Sequence, residues 1–280
     1  MAGLDAQWAR PDLIAAIDAA TRAAGLDPDD LDADGLAAVE HLHSGGIATT
    51  RDQAAQVNGV SEITPETHVL DAGCGVGGPA RWLARKFGCR VTGIDITPDF
   101  VEAARELTRR RGMENLVEIS VGDATDLQFE DRTFDLLWCQ NVTMNIEDKG
   151  TLLGGFHRVL KPGGRFTFAE FSYGPGAGEA RDIHFPVNWA RTPDVNFLNS
   201  EKGLRRNLAG NGFDVEVMEN YSGTILRRVR EATEKAGGKP PSPLGIQVVL
   251  GDDVPERSAN TQRNLAEERL IYWMATARKV

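Results

Sequence analysis

An α/β fold built around one mainly parallel sheet is what this 280-residue chain predicts, and two observations carry that expectation. Short apolar runs alternate with helical patterns in a regular rhythm, which is how successive βαβ units read. A glycine-rich turn, Ala72-Gly73-Cys74-Gly75-Val76-Gly77-Gly78, joins the first apolar run to a helix and lets the backbone approach a ligand at the helix N-terminus. Hydrophobic residues are 41% and charged residues 26%, enough to bury a core. The length suits one domain with insertions better than two domains.

Residues 1–65 read as a helical cap, with a helix at 11–24 and an Asp-rich turn at 27–34. Seven strands are expected, at 68–72, 90–95, 117–122, 134–139, 165–171, 213–219 and 270–277, each an apolar run bounded by turn residues. Helices are expected at 78–87, 98–111, 148–160 and 200–210, with Gly88, Gly112 and Lys161-Pro162-Gly163-Gly164 stopping the first three. Two segments break the rhythm. One, 172–199, is rich in Gly, Pro and aromatics; the other, 222–269, is interrupted by Gly237-Gly238-Lys239-Pro240-Pro241. Both are expected to cover a pocket. The single domain thus divides into the cap at 1–65, a core at 66–171, insertions with the sixth strand at 172–269, and a final strand at 270–280.

The net charge of -10 argues against a nucleic-acid partner. The basic runs Arg109-Arg110-Arg111 and Arg227-Arg228 lie inside helical patterns, where a solvated face explains them. Cys74, Cys89 and Cys139 are odd in number and lack ligand spacing, so neither a disulfide framework nor a metal site is expected. No basic-then-apolar leader follows Met1, and no apolar run nears the ~20 residues of a membrane span. A cytoplasmic protein without a membrane span is expected, and a homodimer is compatible with the chain.

Gly73, Gly75 and Gly78 alone also fit a dinucleotide loop. Asp95 ends the second strand about 20 residues beyond, where a carboxylate accepts both hydroxyls of an adenosine ribose. That suits NAD and S-adenosyl-L-methionine equally. Asp71 separates them: a pyrophosphate would meet its negative charge, whereas an ammonium and a sulfonium gain from it. Asp123, after the third strand, can accept from an adenine amino group or simply cap a turn.

Leu70-Asp71-Ala72-Gly73-Cys74-Gly75-Val76-Gly77, Gly93-Ile94-Asp95, Gly122-Asp123-Ala124 and Val159-Leu160-Lys161-Pro162-Gly163-Gly164 stand in this order, and the core resembles class I S-adenosylmethionine-dependent methyltransferases. The resemblance implies a Rossmann-like seven-stranded methyltransferase sheet whose last strand runs antiparallel, with helical N-terminal and C-terminal lid insertions. It also implies S-adenosyl-L-methionine as cofactor, leaving as S-adenosyl-L-homocysteine, with Asp71, Gly73, Gly75, Asp95, Ile96, Asp123, Ala124 and Gln140 as binding residues. Outside the core, His43-Ser44-Gly45-Gly46 with Thr50-Arg51, Pro186-Val187-Asn188-Trp189-Ala190 and Pro243-Leu244-Gly245 look like the sarcosine/dimethylglycine N-methyltransferase branch. Tocopherol and sterol C-methyltransferases are more distant relatives of it. In that branch the segment matching 43–51 closes over the cofactor, which makes Ser44 and Gly45 expected contacts.

Methyl transfer from a sulfonium is an in-line displacement, so the protein's task is to align acceptor and methyl carbon. A base is needed only where the acceptor must lose a proton. The family often places an Asp and a His where this chain has Asn141 and Asn145, and an amide accepts no proton at neutral pH. The acceptor is therefore expected to react without strong base catalysis, unless both Asn residues merely cap the next helix. Gln140, Asn145 and His184 are positioning candidates, His184 also a potential base; no catalytic residue is assigned. Substrate-binding candidates are Asn141, Asn145, Tyr173, Trp189, Tyr221 and Arg51. Trp189, Tyr173, Phe185 and Phe197 form either an aromatic cage for a cationic amine or ordinary lid packing. Arg51, Arg227 and Arg228 are either clamps for an acceptor carboxylate or surface residues. The expected reaction is methylation of a small molecule at nitrogen or at a carboxylate or hydroxyl oxygen. Standing alternatives are C-methylation of an isoprenoid-like or other natural product, an NAD oxidoreductase, and a catalytically silent S-adenosylmethionine-binding protein.

Overall fold

The computed structural model describes residues 8–29, 35–177, 179, 182–238 and 242–280. Parts of two expected features, 30–34 of the Asp-rich turn and 239–241 of the Gly-Pro break, lie outside the described residues. The cap comprises α1 (Leu13–Ala23), α2 (Ala37–Glu40) and α3 (Gly46–Asn58). The core follows as β1 (His68–Ala72), α4 (Gly78–Phe87), β2 (Arg90–Asp95), α5 (Pro98–Arg110), β3 (Val117–Val121), β4 (Phe134–Gln140), α6 (Lys149–Val159) and β5 (Leu160–Tyr173). Then come α7 (Glu201–Gly210), β6 (Phe213–Asn220), α8 (Ser222–Ala236), α9 (Gln247–Leu250), α10 (Val254–Ala266) and β7 (Leu270–Lys279).

All seven expected strands join one sheet, ordered β3-β2-β1-β4-β5-β7-β6. β1 to β5 pair in parallel, and β7 runs antiparallel to both of its neighbours. The central strands are apolar on both faces, as a sheet covered on both sides requires. Their period of two still sorts the side chains. Leu70, Ala72, Leu137 and Cys139 meet Phe156 of α6 and Leu208 of α7. On the opposite face Val69, Leu136 and Trp138 meet Ala54 of α3, Leu83 of α4 and Val101 of α5.

The helix ends explain why the chain turns where it does. Gly77 (φ 79°) and Gly88 (φ 71°) bracket α4 in the left-handed region, where a side chain would be strained. Asp148 caps α6 by accepting from the Thr151 N–H at 2.9 Å. Asn141 and Asn145, read as alternative caps for that helix, do not cap it. Ser200 caps α7 through the Gly203 N–H at 3.1 Å. Ser200→Ala should therefore cost about 1 kcal/mol of unfolding free energy with an unchanged denaturant slope; a midpoint in urea indistinguishable from the parent would refute the cap.

One expectation is corrected. Lys161-Pro162-Gly163-Gly164, read as the loop that stops a helix, is the first part of β5. Leu160 already pairs with Phe134, and a register shift absorbs the irregular backbone, with Gly163 at φ 74°. Pro and Gly conceal a strand start because such irregularities need them.

The cap and the insertions meet above the carboxyl ends of the strands. Leu13, Ile17 and Val39 of the cap pack with Phe100 and Leu107 of α5 and with Val249 and Leu250 of α9. Phe171, Val187, Trp189, Ile225 and Tyr272 form a second apolar cluster beneath the insertions. No helix among the described residues is long and apolar enough to cross a membrane.

Candidate functional site

A cavity opens at the carboxyl ends of β1 to β4, where an α/β sheet places its ligands. Its floor is Asp71, the Gly73-Cys74-Gly75 turn, Asp95-Ile96-Thr97, Gly122-Asp123-Ala124 and Gln140-Asn141-Val142. Its roof is Trp8, Glu40, Leu42, His43, Asn188, Trp189 and Leu250 from the cap and insertions. Gly73 (φ 78°) has to be glycine: a Cβ there would lie 2.2 Å from Cγ2 of Val142.

Three carboxylates stand in a row along this floor. Asp71 is 2% exposed, and its Oδ2 is buried with no hydrogen-bond partner. Burial, reinforced by the charge of Asp95, pushes its carboxyl up to about 8. An orphaned buried carboxylate oxygen facing a cavity marks a missing donor. Asp95 accepts from the N–H groups of Gly75 and Thr97, each at 2.9 Å, which fixes its carboxylate at the cavity edge. Burial there raises its carboxyl despite those bonds. Asp123 spends Oδ1 on the N–H and hydroxyl of Thr125, both at 2.7 Å. It is thus a turn residue and a cavity residue at once. Ile96, Phe100 and Ala124 supply apolar wall beside Asp95 and Asp123.

A buried polar chain supports the opposite wall. The hydroxyl of Thr50 lies 3.0 Å from Nδ1 of His41 and 3.1 Å from Nε2 of His43. Nε2 of His43 also faces the Gly46 carbonyl at 3.0 Å, and since a carbonyl only accepts, that contact places a proton on Nε2. Burial pushes both imidazoles down to about 3, so both are neutral. The Gln140 amide donates to Oε1 of Gln53 at 2.9 Å, tying the end of β4 to α3.

The other expected residues separate into two groups. Asn141, Asn145 and Trp189 line the cavity. Asn141 has φ 55°, and its Oδ1 accepts from the Tyr272 hydroxyl at 2.9 Å. Trp189 stacks on Phe171 at 4.5 Å, and its indole N–H donates to Asn196 at 2.8 Å. Ser44 and Gly45 instead edge a second cavity that shares Leu42, His43 and Asn188 with the first.

Tyr173, Phe185 and Phe197 are absent from the first cavity's wall, so Trp189 reaches it without the other members of the expected cage. Tyr173 and Phe185 pack into the apolar cluster under the insertions. Tyr221 donates to Asp52 and receives a bond from Arg228 at 2.9 Å, away from both cavities. His184 pairs with Glu267 at 2.8 Å and lines neither cavity. Arg51 and Arg227 are exposed, and Arg228 is bound to Asp52. None of the three lines either cavity. Glu40, Leu42, His43 and Asn188 belong to the site without having been expected there. His43 and Asn188 sit inside the flanking motifs, which was the available signal.

Comparison with known proteins bears on this arrangement. Residues 70–168 match the family model described as a methyltransferase domain. This segment is a methyltransferase domain. It holds the cavity floor from the glycine turn to the residues after β4. A glycine/sarcosine/dimethylglycine N-methyltransferase of Actinopolyspora halophila is 38% identical over 125 residues, 44% of this chain and 22% of that protein. The methyltransferase GfsG of Streptomyces halstedii is 40% identical over 109 residues, 39% of each chain. These matches span well under two thirds of the curated relatives. Among solved structures, phosphoethanolamine N-methyltransferase 2 of Haemonchus contortus with S-adenosyl-L-methionine superposes with a TM-score of 0.70 at 22% identity, covering 89% of this chain and 57% of that one. Geranyl diphosphate C-methyltransferase of Streptomyces coelicolor A3(2) gives 0.65 at 18% identity, covering 84% and 76%. At such identities these two likenesses show that the methyltransferase domain and its flanks share the fold.

Proposed function

We propose that the chain transfers a methyl group from S-adenosyl-L-methionine to nitrogen or oxygen of a small molecule, releasing S-adenosyl-L-homocysteine in the cytoplasm. The observation that carries this reading is the buried, unpartnered oxygen of Asp71 at the cavity floor. A cationic amino-acid group supplies the donor it lacks, and an NAD pyrophosphate does not. Asp95 is placed for ribose hydroxyls, Asp123 for an adenine amino group, and Ile96 and Ala124 for the base. Ser44 and Gly45, next to His43, are assigned to the amino-acid end of the cofactor. The curated relative named for glycine, sarcosine and dimethylglycine supports an amine acceptor.

When bound, the sulfonium supplies an already activated methyl carbon. The chain's residues then hold, orient and shield. Asn141, Asn145 and Trp189 line the cofactor cavity and present no strong base. His43, neutral with its pKa near 3, is a weak proton acceptor at neutral pH and acts as a positioning residue. That favours an amine with a free lone pair, or an oxygen that gives its proton to water.

Calorimetric titration with S-adenosyl-L-methionine, S-adenosyl-L-homocysteine and NAD tests the assignment. The adenosyl ligands should bind and NAD should not. Asp95→Ala should weaken the adenosyl ligands about 10- to 100-fold, as loss of hydrogen bonds to a charged group does, with the fold intact by circular dichroism. NAD binding alone, or full affinity in Asp95→Ala, would overturn it.

A further inference from the structure

The second cavity is walled by the 43–46 segment and by both insertions. It lies between α2, the N-terminal turn of α3, α8 and α10. Leu42, His43 and Asn188 line both this cavity and the cofactor cavity, so the two adjoin at those side chains. Ala37, Ala38, Ile225, Val229, Ile246 and Leu265 give the rest of the wall an apolar part, and His41 and Ser44 stand among its polar groups. Ser258, Thr261 and Gln262 of α10 form one polar edge.

We propose that this second cavity is the acceptor's chamber, and that it takes an uncharged molecule with an apolar body and a polar end, whose nucleophilic atom meets the cofactor cavity at Leu42, His43 and Asn188. The inference rests on the methyl-transfer reading above and names its substrate class.

Charge decides the class. Among the described residues, neither cavity is lined by a single Lys or Arg. The second cavity has no Asp or Glu either, and the charged groups of the first are Glu40, Asp71, Asp95 and Asp123, all acidic. His41 and His43 are buried and neutral, so they supply no cation. A carboxylate or phosphate entering the second cavity would lose its hydration without gaining a cation, and the charged groups of the adjoining cavity are carboxylates. The N-terminal end of α3, beside Ser44 and Gly45, is one compensating feature, and the cofactor's own carboxylate competes for it. Sarcosine, dimethylglycine and phosphoethanolamine, for which the similar proteins are named, are all anionic at one end. By this argument the present chain has the fold of those enzymes without the cation such acceptors need.

The apolar wall supplies the positive part of the argument. Burying an alkyl or ring body of an acceptor against Ile225, Val229 and Leu265 is favourable in proportion to the area removed from water. The polar edge on α10 offers hydroxyl and amide groups to a neutral oxygen or nitrogen on that body. Leu42 and His43 then stand where the body ends and the reacting atom begins.

The test uses the full chain saturated with S-adenosyl-L-homocysteine and titrated by calorimetry with a matched pair, heptylphenol and hydroxyphenylheptanoate, and with sarcosine and phosphoethanolamine. Heptylphenol should bind saturably. Its carboxylate counterpart should bind at least about 30-fold more weakly, and the two small anions should give no saturable heat. Val229→Trp, and independently Ala38→Phe at the rim, should each weaken heptylphenol about tenfold or more, while S-adenosyl-L-homocysteine affinity stays within about twofold. No heptylphenol binding, equal binding of the pair, saturable binding of either small anion, or unchanged heptylphenol affinity in both variants overturns the proposal. Failure of S-adenosyl-L-homocysteine itself to bind would instead sink the methyl-transfer reading.

Discussion

Asp71→Asn should make the unliganded protein more stable and the liganded one much harder to form. The carboxyl of Asp71 is pushed up to about 8 in the fold from an ordinary 3.8, because it is buried and close to Asp95. Between those values the folded chain holds a proton that the unfolded chain releases. Folded-state binding of more protons means that stability falls as pH rises from about 4 to 8, by about 1.4 kcal/mol for each pH unit over which the two states differ by a whole proton. The amide has no such slope. Relative to the parent, Asp71→Asn should therefore gain roughly 3–6 kcal/mol at pH 8 and little at pH 4. The same change removes the counter-charge for the cofactor's cationic end, and affinity should fall at least about 100-fold. Calorimetry in two buffers of different ionisation enthalpy should also detect a proton released on binding near pH 7 by the parent and not by the variant. Chemical denaturation at pH 4 and pH 8 settles the first half: a parent-minus-variant difference that does not change with pH would mean that Asp71 is ionised in the empty cavity.

This trade between stability and binding is legible in the sequence only in part. That Asp71 lies on a buried strand follows from its place between Leu70 and Ala72, apolar residues of a period-two run. That its Oδ2 has no partner depends on what α3 and the segment after β4 do above it, and those contacts join residues far apart in the chain. The seven strands were readable for the same local reason. Each is a short apolar run with turn residues at its ends, and the βα rhythm repeats. β5 was misjudged at its start because Pro162, Gly163 and Gly164 are loop residues by propensity, and pairing with β4 overrides propensity there.

The acceptor side was far less legible. Aromatic residues crowd the segment after β5, yet only the packing shows that Tyr173 and Phe185 face the apolar cluster and that Trp189 alone of the four reaches the cavity wall. Arg51 and Arg228 read as clamps by residue type, but α3 carries Arg51 outward and Asp52 occupies Arg228. A helix fixes which way its residues point only once its buried face is known, and α3 has a weak apolar pattern: Thr49, Thr50 and Gln53 are among its buried residues. Sequence periodicity cannot reveal a helix that buries a polar network.

Glu40 carries the last large effect, because it joins the roof of the cofactor cavity to the two helices beneath. Its carboxylate lies 3.2 Å from Nη2 of Arg81 on α4 and also pairs with Arg111 just beyond α5. Arg81 is 2% exposed and Glu40 4%, so this is a buried cluster of two guanidiniums around one carboxylate. Arg81 further donates to the Val76 carbonyl at 2.7 Å, the Ala104 carbonyl at 3.1 Å and the Thr108 hydroxyl at 3.1 Å, which locks the glycine turn to α5. The Glu40 backbone is equally tight against the turn, since a Cβ on Gly78 would come within 2.3 Å of its carbonyl oxygen. Removing the carboxylate leaves two buried cations facing each other, a situation that costs about 3–5 kcal/mol. Glu40→Gln should lose that amount in urea denaturation and should loosen the 41–46 segment, so S-adenosyl-L-homocysteine affinity should fall with it. Replacing Arg111 by Leu in the same background removes one of the unpaired cations and should recover part of the stability. A loss below about 1 kcal/mol in Glu40→Gln, or no recovery in the double variant, would show that the cluster is solvated in solution and that the roof is held by the apolar contacts of Leu36 and Val39 instead.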